Sequence, residues 1–156
     1  MSGAKKRIIL LPGTLAICRL ETTASIPAWA TLGPFCSVTR TEEELSVVCP
    51  EARVPQEVKR ETGWRALKVE GPLDFSLTGI LASLTAPLAR EKVSVFAIST
   101  YDTDYLLVKG EQLAKAIEAL RGEGYKVKTR VKVQGSRRTA HGARFKAKGK
   151  NTSRKA

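Results

Sequence analysis

The sequence predicts an α+β protein built from two ferredoxin-like units, each an antiparallel sheet with helices on one face. From residue 64 onward, the apolar patterns of strands and helices follow the order β-α-β-β-α-β, which is the ferredoxin-like arrangement. The first half of the chain carries four strand patterns and only weak helical ones, as a copy with reduced helices would. Of the 156 residues, 42% are apolar, which is enough for a packed core.

In the first half, prolines, glycines and polar runs separate the predicted strands. A Pro12-Gly13 turn divides the first two strands, and the polar run at residues 41–44 divides the next two. Short helices are expected at Ile26–Ala30 and Pro55–Glu61. The predicted strands are Ile8–Leu11, Leu15–Leu20, Phe35–Arg40 and Leu45–Cys49.

In the second half, two amphipathic helices alternate with strands. Ser76 is a suitable N-cap for the first helix, whose apolar residues recur at helical spacing over residues 77–88. Pro87 is expected to kink or end this helix, because proline has no amide donor and clashes with the preceding turn. A second helix is predicted over residues 113–120, before a pair of glycines. The predicted strands are Trp64–Val69, Val93–Ser99, Tyr105–Val108 and the start of Tyr125–Val133.

Basic charge is concentrated at the C-terminal end of the chain. Residues 1–125 carry 15 basic and 15 acidic side chains, whereas residues 126–156 carry 12 basic ones and no acidic one. Residues 129–156 are expected to form a disordered tail, since such a composition cannot bury enough apolar surface to fold. Residues 126–156 are expected to make weak contacts with nucleic acid through their charge, and a solvated appendage without a role is an equal alternative.

Several functional classes are not predicted by this sequence. No apolar run approaches the roughly 20 residues of a membrane-spanning helix, so we expect a cytoplasmic protein that makes no membrane contact. Cys18, Cys36 and Cys49 each lie in an apolar run and are expected to be buried free thiols. Because His141 is the only histidine, neither a Cys/His metal site nor a histidine-activated nucleophile is predicted. We therefore expect no metal, no cofactor and no enzymatic activity.

Two segments of the second half have the chemistry of a small-molecule site. The loop at residues 72–75 leads into a helix whose first amides lack intrahelical acceptors and attract a carboxylate. Gly79 would admit a ligand or a partner backbone, and relief of crowding against a neighbouring element is an equal explanation. The segment 99–105 is longer than a hairpin turn requires. Its Asp102 and Asp104 would either cap the turn or accept hydrogen bonds from a ligand ammonium or guanidinium.

Several motifs resemble a small bacterial family of tandem ACT-domain proteins, which are similar to the regulatory region of aspartate kinases and to CASTOR-type arginine sensors. The resemblance covers roughly residues 8–128 and implies ACT-type units at residues 1–62 and 63–128. The matching segments are Gly71–Phe75, Thr78–Leu81, Pro87–Ala89, Ile98–Tyr105 and, in the first unit, Ser37–Pro50.

The resemblance implies a non-enzymatic regulatory protein that binds an amino acid or a similar small ligand at an ACT–ACT interface. Because the arginine sensors have four such units and this chain has two, a homodimer is expected to complete the interface. The resemblance and the local chemistry together assign ligand contacts to Asp74, Thr78, Gly79, Ile80, Ser99, Thr100, Asp102 and Asp104. The alternative function is a nucleic-acid-binding adaptor that acts through the basic tail.

Overall fold

A computed structural model describes residues 7–130 of the chain. The strands are β1 (Arg7–Leu10), β2 (Leu15–Leu20), β3 (Ser37–Arg40), β4 (Leu45–Pro50), β5 (Arg60–Val69), β6 (Phe96–Ser99), β7 (Asp104–Lys109) and β8 (Lys126–Thr129). The helices are α1 (Ala28–Thr31), α2 (Ile80–Arg90) and α3 (Leu113–Gly122), with 3-10 turns at Glu51–Arg53 and Gly110–Gln112. Disorder was predicted for residues 129–156 and nucleic-acid contacts for residues 126–156. Thr129 is the last residue of β8, so the disorder predicted to start there is wrong at that position, and residues 131–156 lie outside the described residues. Within residues 7–130, no helix is long and apolar enough to cross a membrane.

The strands form one hydrogen-bonded sheet that branches at β5. The N-terminal half of β5 pairs with β2, and that branch continues to β4 and then β3. The C-terminal half of β5 pairs with β1, which pairs in parallel with β8. On its other edge, β5 pairs with β7, which pairs with β6. The ten-residue β5 therefore serves both branches, and the predicted boundary between residues 62 and 63 falls inside it.

Each branch has ferredoxin-like strand order, which confirms the predicted fold class. The first branch runs β3-β4-β2-β5, and the second runs β6-β7-β5-β1-β8 with β1 inserted between β5 and β8. β1 and β2 lie end to end along β5, separated at Gly13, whose φ of 83° suits glycine. The first predicted strand of the N-terminal unit thus lies in the sheet of the C-terminal unit.

Helices cover one face of each branch, and the helix-free faces meet in a third apolar cluster. Leu84 and Leu88 of α2 pack with Leu120 of α3 on the second branch. α1 covers the first branch through the buried Ala30. Between the helix-free faces, Trp64 of β5 belongs to a cluster with residues of both branches. This packing fixes β5 and β7, which carry the loops described next.

Two predictions about helices are wrong, and one of the two outcomes expected for Pro87 is excluded. α2 begins at Ile80 rather than near Ser76, because the backbone first turns through a left-handed residue at position 79. Pro87 does not end α2, which continues to Arg90, so a kink is the outcome that stays a prediction. No helix forms at Pro55–Glu61, because β5 already starts at Arg60, where it pairs with β2.

Residues 70–79, here the α2 loop, are held against residues 100–103, the β6–β7 turn. The Leu73 amide donates to the Asp102 carbonyl at 2.7 Å. The Thr103 hydroxyl donates to the Val69 carbonyl at 2.6 Å, and Thr103 is only 3% exposed. A Cβ at Gly71 would lie 2.8 Å from the Asp102 carbonyl oxygen, so the two backbones approach too closely for any side chain there.

We expect Gly71→Ala to destabilise the protein by about 1–3 kcal/mol, because the new methyl group overpacks against backbone atoms that cannot move independently. Denaturant unfolding followed by circular dichroism measures the change. Gly122→Ala is the matched control, since nothing lies within 4 Å of its Cβ position and alanine favours helix. Equal stability of the two variants would contradict the close approach of the α2 loop and the β6–β7 turn.

The three cysteines differ in exposure, and the prediction that all are buried is wrong for Cys36. Cys36 is exposed because β3 begins one residue later. Cys18 and Cys49 are buried on neighbouring strands. Burial is the main cause that raises the pKa of Cys18 and, together with the neighbouring thiols, the pKa of Cys49 to about 12. Both buried thiols are therefore protonated at neutral pH.

We expect one fast-reacting thiol in the native protein, because the thiolate is the reactive species and only Cys36 is exposed. Mass spectrometry after a brief maleimide pulse at neutral pH measures labelling at each cysteine. Cys36→Ser removes the fast phase, whereas denaturation makes Cys18 and Cys49 reactive. Fast native labelling of Cys18 or Cys49 would contradict the packing between β2 and β4.

Candidate functional site

A cavity of about 300 Å³ lies between the α2 loop and the β6–β7 turn. The two segments that the sequence marked separately therefore lie on either side of one opening. Its lining includes these predicted residues: Asp74, Gly79, Ile80, Ser99, Thr100, Asp102 and Asp104. Thr78, the eighth predicted residue, does not line it. The grouping makes a shared site geometrically feasible, while each residue's role in binding stays a prediction.

The N-terminus of α2 opens towards this cavity. Gly79 is the N-cap residue, with φ 75° and ψ 3°, a left-handed conformation that favours glycine. A Cβ there would meet nothing within 4 Å, so relief of crowding does not explain this glycine. Among the described residues, no side chain caps α2, and the amides of its first turn, beginning with Ile80, have no intrahelical acceptor. This end of the helix attracts negative charge.

Asp74 organises the α2 loop, and Ser76 does not cap the helix as predicted. Its carboxylate oxygen Oδ1 accepts a hydrogen bond from the Ser76 amide at 2.8 Å, and its carbonyl accepts one from the Leu77 amide at 3.0 Å. Hydrogen bonds from the Ser76 side chain and amide lower the pKa of Asp74. The carboxylate therefore stays ionised at neutral pH, and its contribution to the turn is lost only as the pH falls through this lowered pKa.

The β6–β7 turn is closed by a threonine and not by the aspartates that were candidates for that role. The Thr100 amide and hydroxyl each donate to the Thr103 carbonyl at 2.8 Å. The Ser99 hydroxyl donates to Oδ1 of Asp104 at 2.5 Å. The Asp102 carboxylate has no hydrogen-bond or ion-pair partner within residues 7–130. Both carboxylates therefore keep oxygen atoms that can accept from a ligand.

The charges around the cavity are arranged in two regions of opposite sign. Asp74, Asp102 and Asp104 contribute carboxylates, and no lysine or arginine is among the lining residues. The first turn of α2 supplies the positive end of a helix dipole. Such a cavity is suited to a molecule with a carboxylate at one end and an ammonium group at the other.

Sequence reasoning missed an exposed aromatic pair at the edge of the cavity. The rings of Phe75 and Tyr101 lie 5.0 Å apart at an angle of 83° and are part of the lining. Phe75 is 75% exposed and Tyr101 81% exposed, and the half-exposed Leu77 lies beside them in the lining. Both aromatic residues fall inside the motifs that carry the family resemblance. The pattern of apolar residues along the sequence does not show whether an aromatic side chain in a loop is exposed or buried.

A larger cavity of about 430 Å³ lies where the two branches meet, but its lining is mostly apolar. It is bounded by residues such as Leu11, Pro12 and Phe35, with Arg130 as its charged residue. It lacks carboxylates and a helix terminus, so it offers no pair of opposite charges for a zwitterion. Within residues 7–130, no group of three side chains is arranged to hold a metal ion.

Family models match both parts of the described chain. The model of the ACT domain matches residues 59–122, which run from the start of β5 to the end of α3. A second model, of an N-terminal domain, matches residues 13–57. The matched ACT segment contains the α2 loop, the β6–β7 turn and all lining residues of the 300 Å³ cavity.

Similar proteins include an arginine sensor and an aspartate kinase. The cytosolic arginine sensor for mTORC1 subunit 1 of Bos taurus is 34% identical over 100 residues, which are 57% of this chain and 30% of the sensor. The chain thus spans about a third of the length of that relative. Aspartate kinase from Synechocystis superposes with a TM-score of 0.58 at 15% identity, over 85% of this chain and 29% of the kinase, which shows a shared fold.

A crystal structure from Agrobacterium tumefaciens matches over nearly its whole length. It is 38% identical, has a TM-score of 0.78, and is matched over 83% of this chain and 96% of its own. The ACT-domain match, the sensor relatives and the aspartate kinase fold agree with one another and confirm the resemblance found in the sequence. Residues 59–122 of this chain form an ACT domain.

Proposed function

We propose that this protein is a non-enzymatic regulatory protein that binds a free amino acid in the cavity between the α2 loop and the β6–β7 turn. One observation carries the proposal: an uncapped helix N-terminus shares a 300 Å³ cavity with three carboxylates. The arginine-sensor name of the bovine relative supports the same class of ligand. An amino acid carries both of the charges that this cavity separates.

In this proposal, the ligand lies across the opening with its α-carboxylate at α2. The amides of Ile80 and the next residue donate to the α-carboxylate, and Gly79 leaves the approach free of a side chain. Asp104 and Asp102 accept hydrogen bonds from the ammonium group, which are strengthened by the opposite charges. The hydroxyl oxygens of Ser99 and Thr100 remain available as neutral acceptors, because each hydroxyl already donates within the protein.

Two further predicted residues act at the edge of this arrangement. Asp74 keeps the α2 loop in shape through its bonds to Ser76 and Leu77. Thr78 lies next to Gly79 outside the cavity lining, so its contribution is through the backbone of the loop. Three carboxylates and no basic side chain favour ligands with a cationic side chain over acidic ones.

A second copy of the chain would close the open side of the cavity. Phe75, Leu77 and Tyr101 are exposed apolar side chains beside the cavity, and such groups are typical of association surfaces. A homodimer formed there would place the ligand at an ACT–ACT interface. Ligand binding would then favour the dimer, because a ligand stabilises the state that binds it more tightly.

We expect at least one amino acid to bind, with lysine or arginine tighter than aspartate or glutamate. Asp104→Asn should weaken binding roughly 10- to 100-fold, because a hydrogen bond to a charged group contributes about 1.5–3 kcal/mol. The amide oxygen of the asparagine can still accept from Ser99, so the local structure is retained. Isothermal calorimetry after a thermal-shift screen of the common amino acids measures the affinities.

Glu42→Gln is the matched control, since it removes one carboxylate charge from the β3–β4 turn, outside the cavity lining. The control should bind like the unmodified protein. The proposal fails if no amino acid gives heat or a thermal shift at millimolar concentration, or if Asp104→Asn and Glu42→Gln have equal affinity.

A further inference from the structure

The helix-free face of β8, β1 and β5 carries a row of basic side chains. Val127 packs against the helix-covered core, so the alternation of a strand places Lys126 and Lys128 on the other face. Arg130, the residue after β8, lines a depression together with Lys128. In register, Lys128 lies beside Ile9 of β1, and Ile9 lies beside Lys68 of β5. Four cations therefore share one open face of the sheet.

Few of these charges are neutralised by the protein itself. Glu70, the acidic residue that borders this face, forms an ion pair with Arg7. Lys68, Lys126, Lys128 and Arg130 form no ion pair with any residue of the described chain. A shallow depression of about 280 Å³ lies among Arg7, Lys68, Lys128 and Arg130. The face thus has a net positive charge, although residues 1–125 taken together are neutral.

The basic face continues directly into the basic end of the sequence. Residues 131–156 follow Arg130 and contain nine lysines and arginines and no acidic residue. They are also rich in glycine, serine and threonine, as are basic segments that follow nucleic-acid backbones. The sequence that follows Arg130 therefore has a net charge of the same sign as the sheet face.

We propose that the face formed by Lys68, Lys126, Lys128 and Arg130 binds the phosphate backbone of single-stranded nucleic acid. On one face of a strand, alternate side chains are about 6.6 Å apart, so the cations of β8 form a regular line suited to a linear polyanion. Tyr105 lies beside Lys68 and packs against Phe35, with 5.1 Å between the ring centroids. Because this aromatic ring already has a partner, we expect binding through the phosphates and not through base stacking on Tyr105. Binding should depend steeply on salt and little on base sequence.

The test uses the full chain and labelled single strands of about 20 nucleotides, oligo-dT and oligo-U, whose anisotropy is measured between roughly 50 and 200 mM salt. The variant Lys126→Gln, Lys128→Gln and Arg130→Gln should bind more weakly. Its plot of log affinity against log salt should be less steep by about 2, since each lost phosphate contact on a single strand removes about 0.7. DNA and RNA share the phosphate backbone, and comparing the affinities for oligo-dT and oligo-U shows which of the two binds more tightly.

The matched control replaces three exposed cations outside this face: Arg53→Gln, Lys59→Gln and Lys92→Gln. It changes net charge equally and should keep the salt slope of the unmodified protein. The proposal is overturned if both triple variants lose affinity equally, if neither changes the slope, or if the unmodified chain binds polyglutamate or anionic lipid vesicles as tightly as nucleic acid. The amino-acid site is unaffected by these substitutions, so either proposal can fail without the other.

Discussion

The contact between the α2 loop and the β6–β7 turn is the constraint on which the candidate site depends. The hydrogen bonds from Leu73 to the Asp102 carbonyl and from Thr103 to the Val69 carbonyl join segments about 30 residues apart in the chain. Because Thr103 is buried and the space beside Gly71 admits no side chain, the α2 loop and the β6–β7 turn are held in one arrangement. That meeting brings the N-terminus of α2 to the same cavity as Asp102 and Asp104.

The sheet supports this contact from below. β5 leads into the α2 loop, and β7 leads out of the β6–β7 turn. The two strands are adjacent and antiparallel, with Lys68 opposite Tyr105 at the end nearest the cavity. β5 also pairs with β2 of the first branch. A displacement of β5 at the cavity would therefore also displace the strands of the first branch. A shared strand of this kind offers a physical route from ligand binding to the arrangement of the whole chain.

The order of elements in the second branch was predicted correctly from the sequence, because helical spacing and strand alternation are local patterns that a single sequence shows directly. The predicted start of α2 at Ser76 was wrong for two reasons that the N-cap preference of serine does not reveal. Gly79 is left-handed, and the Ser76 amide donates to the Asp74 carboxylate. The insertion of β1 between β5 and β8 was not predictable, since local patterns do not encode which strands pair. The grouping of Gly79 with Asp104 came from the family resemblance and from no local pattern.

In the proposed function, one amino-acid ligand is held between α2 and the β6–β7 turn. This placement is tested by the amide chemical shifts of the 15N-labelled protein, followed while an amino acid found by screening is added. We expect Gly79, Ile80 and residues 99–104 to shift together with one dissociation constant. Shifts confined to Gly13, Thr14 and Phe35, around the larger apolar cavity, with Gly79 and Asp104 unchanged, would contradict it.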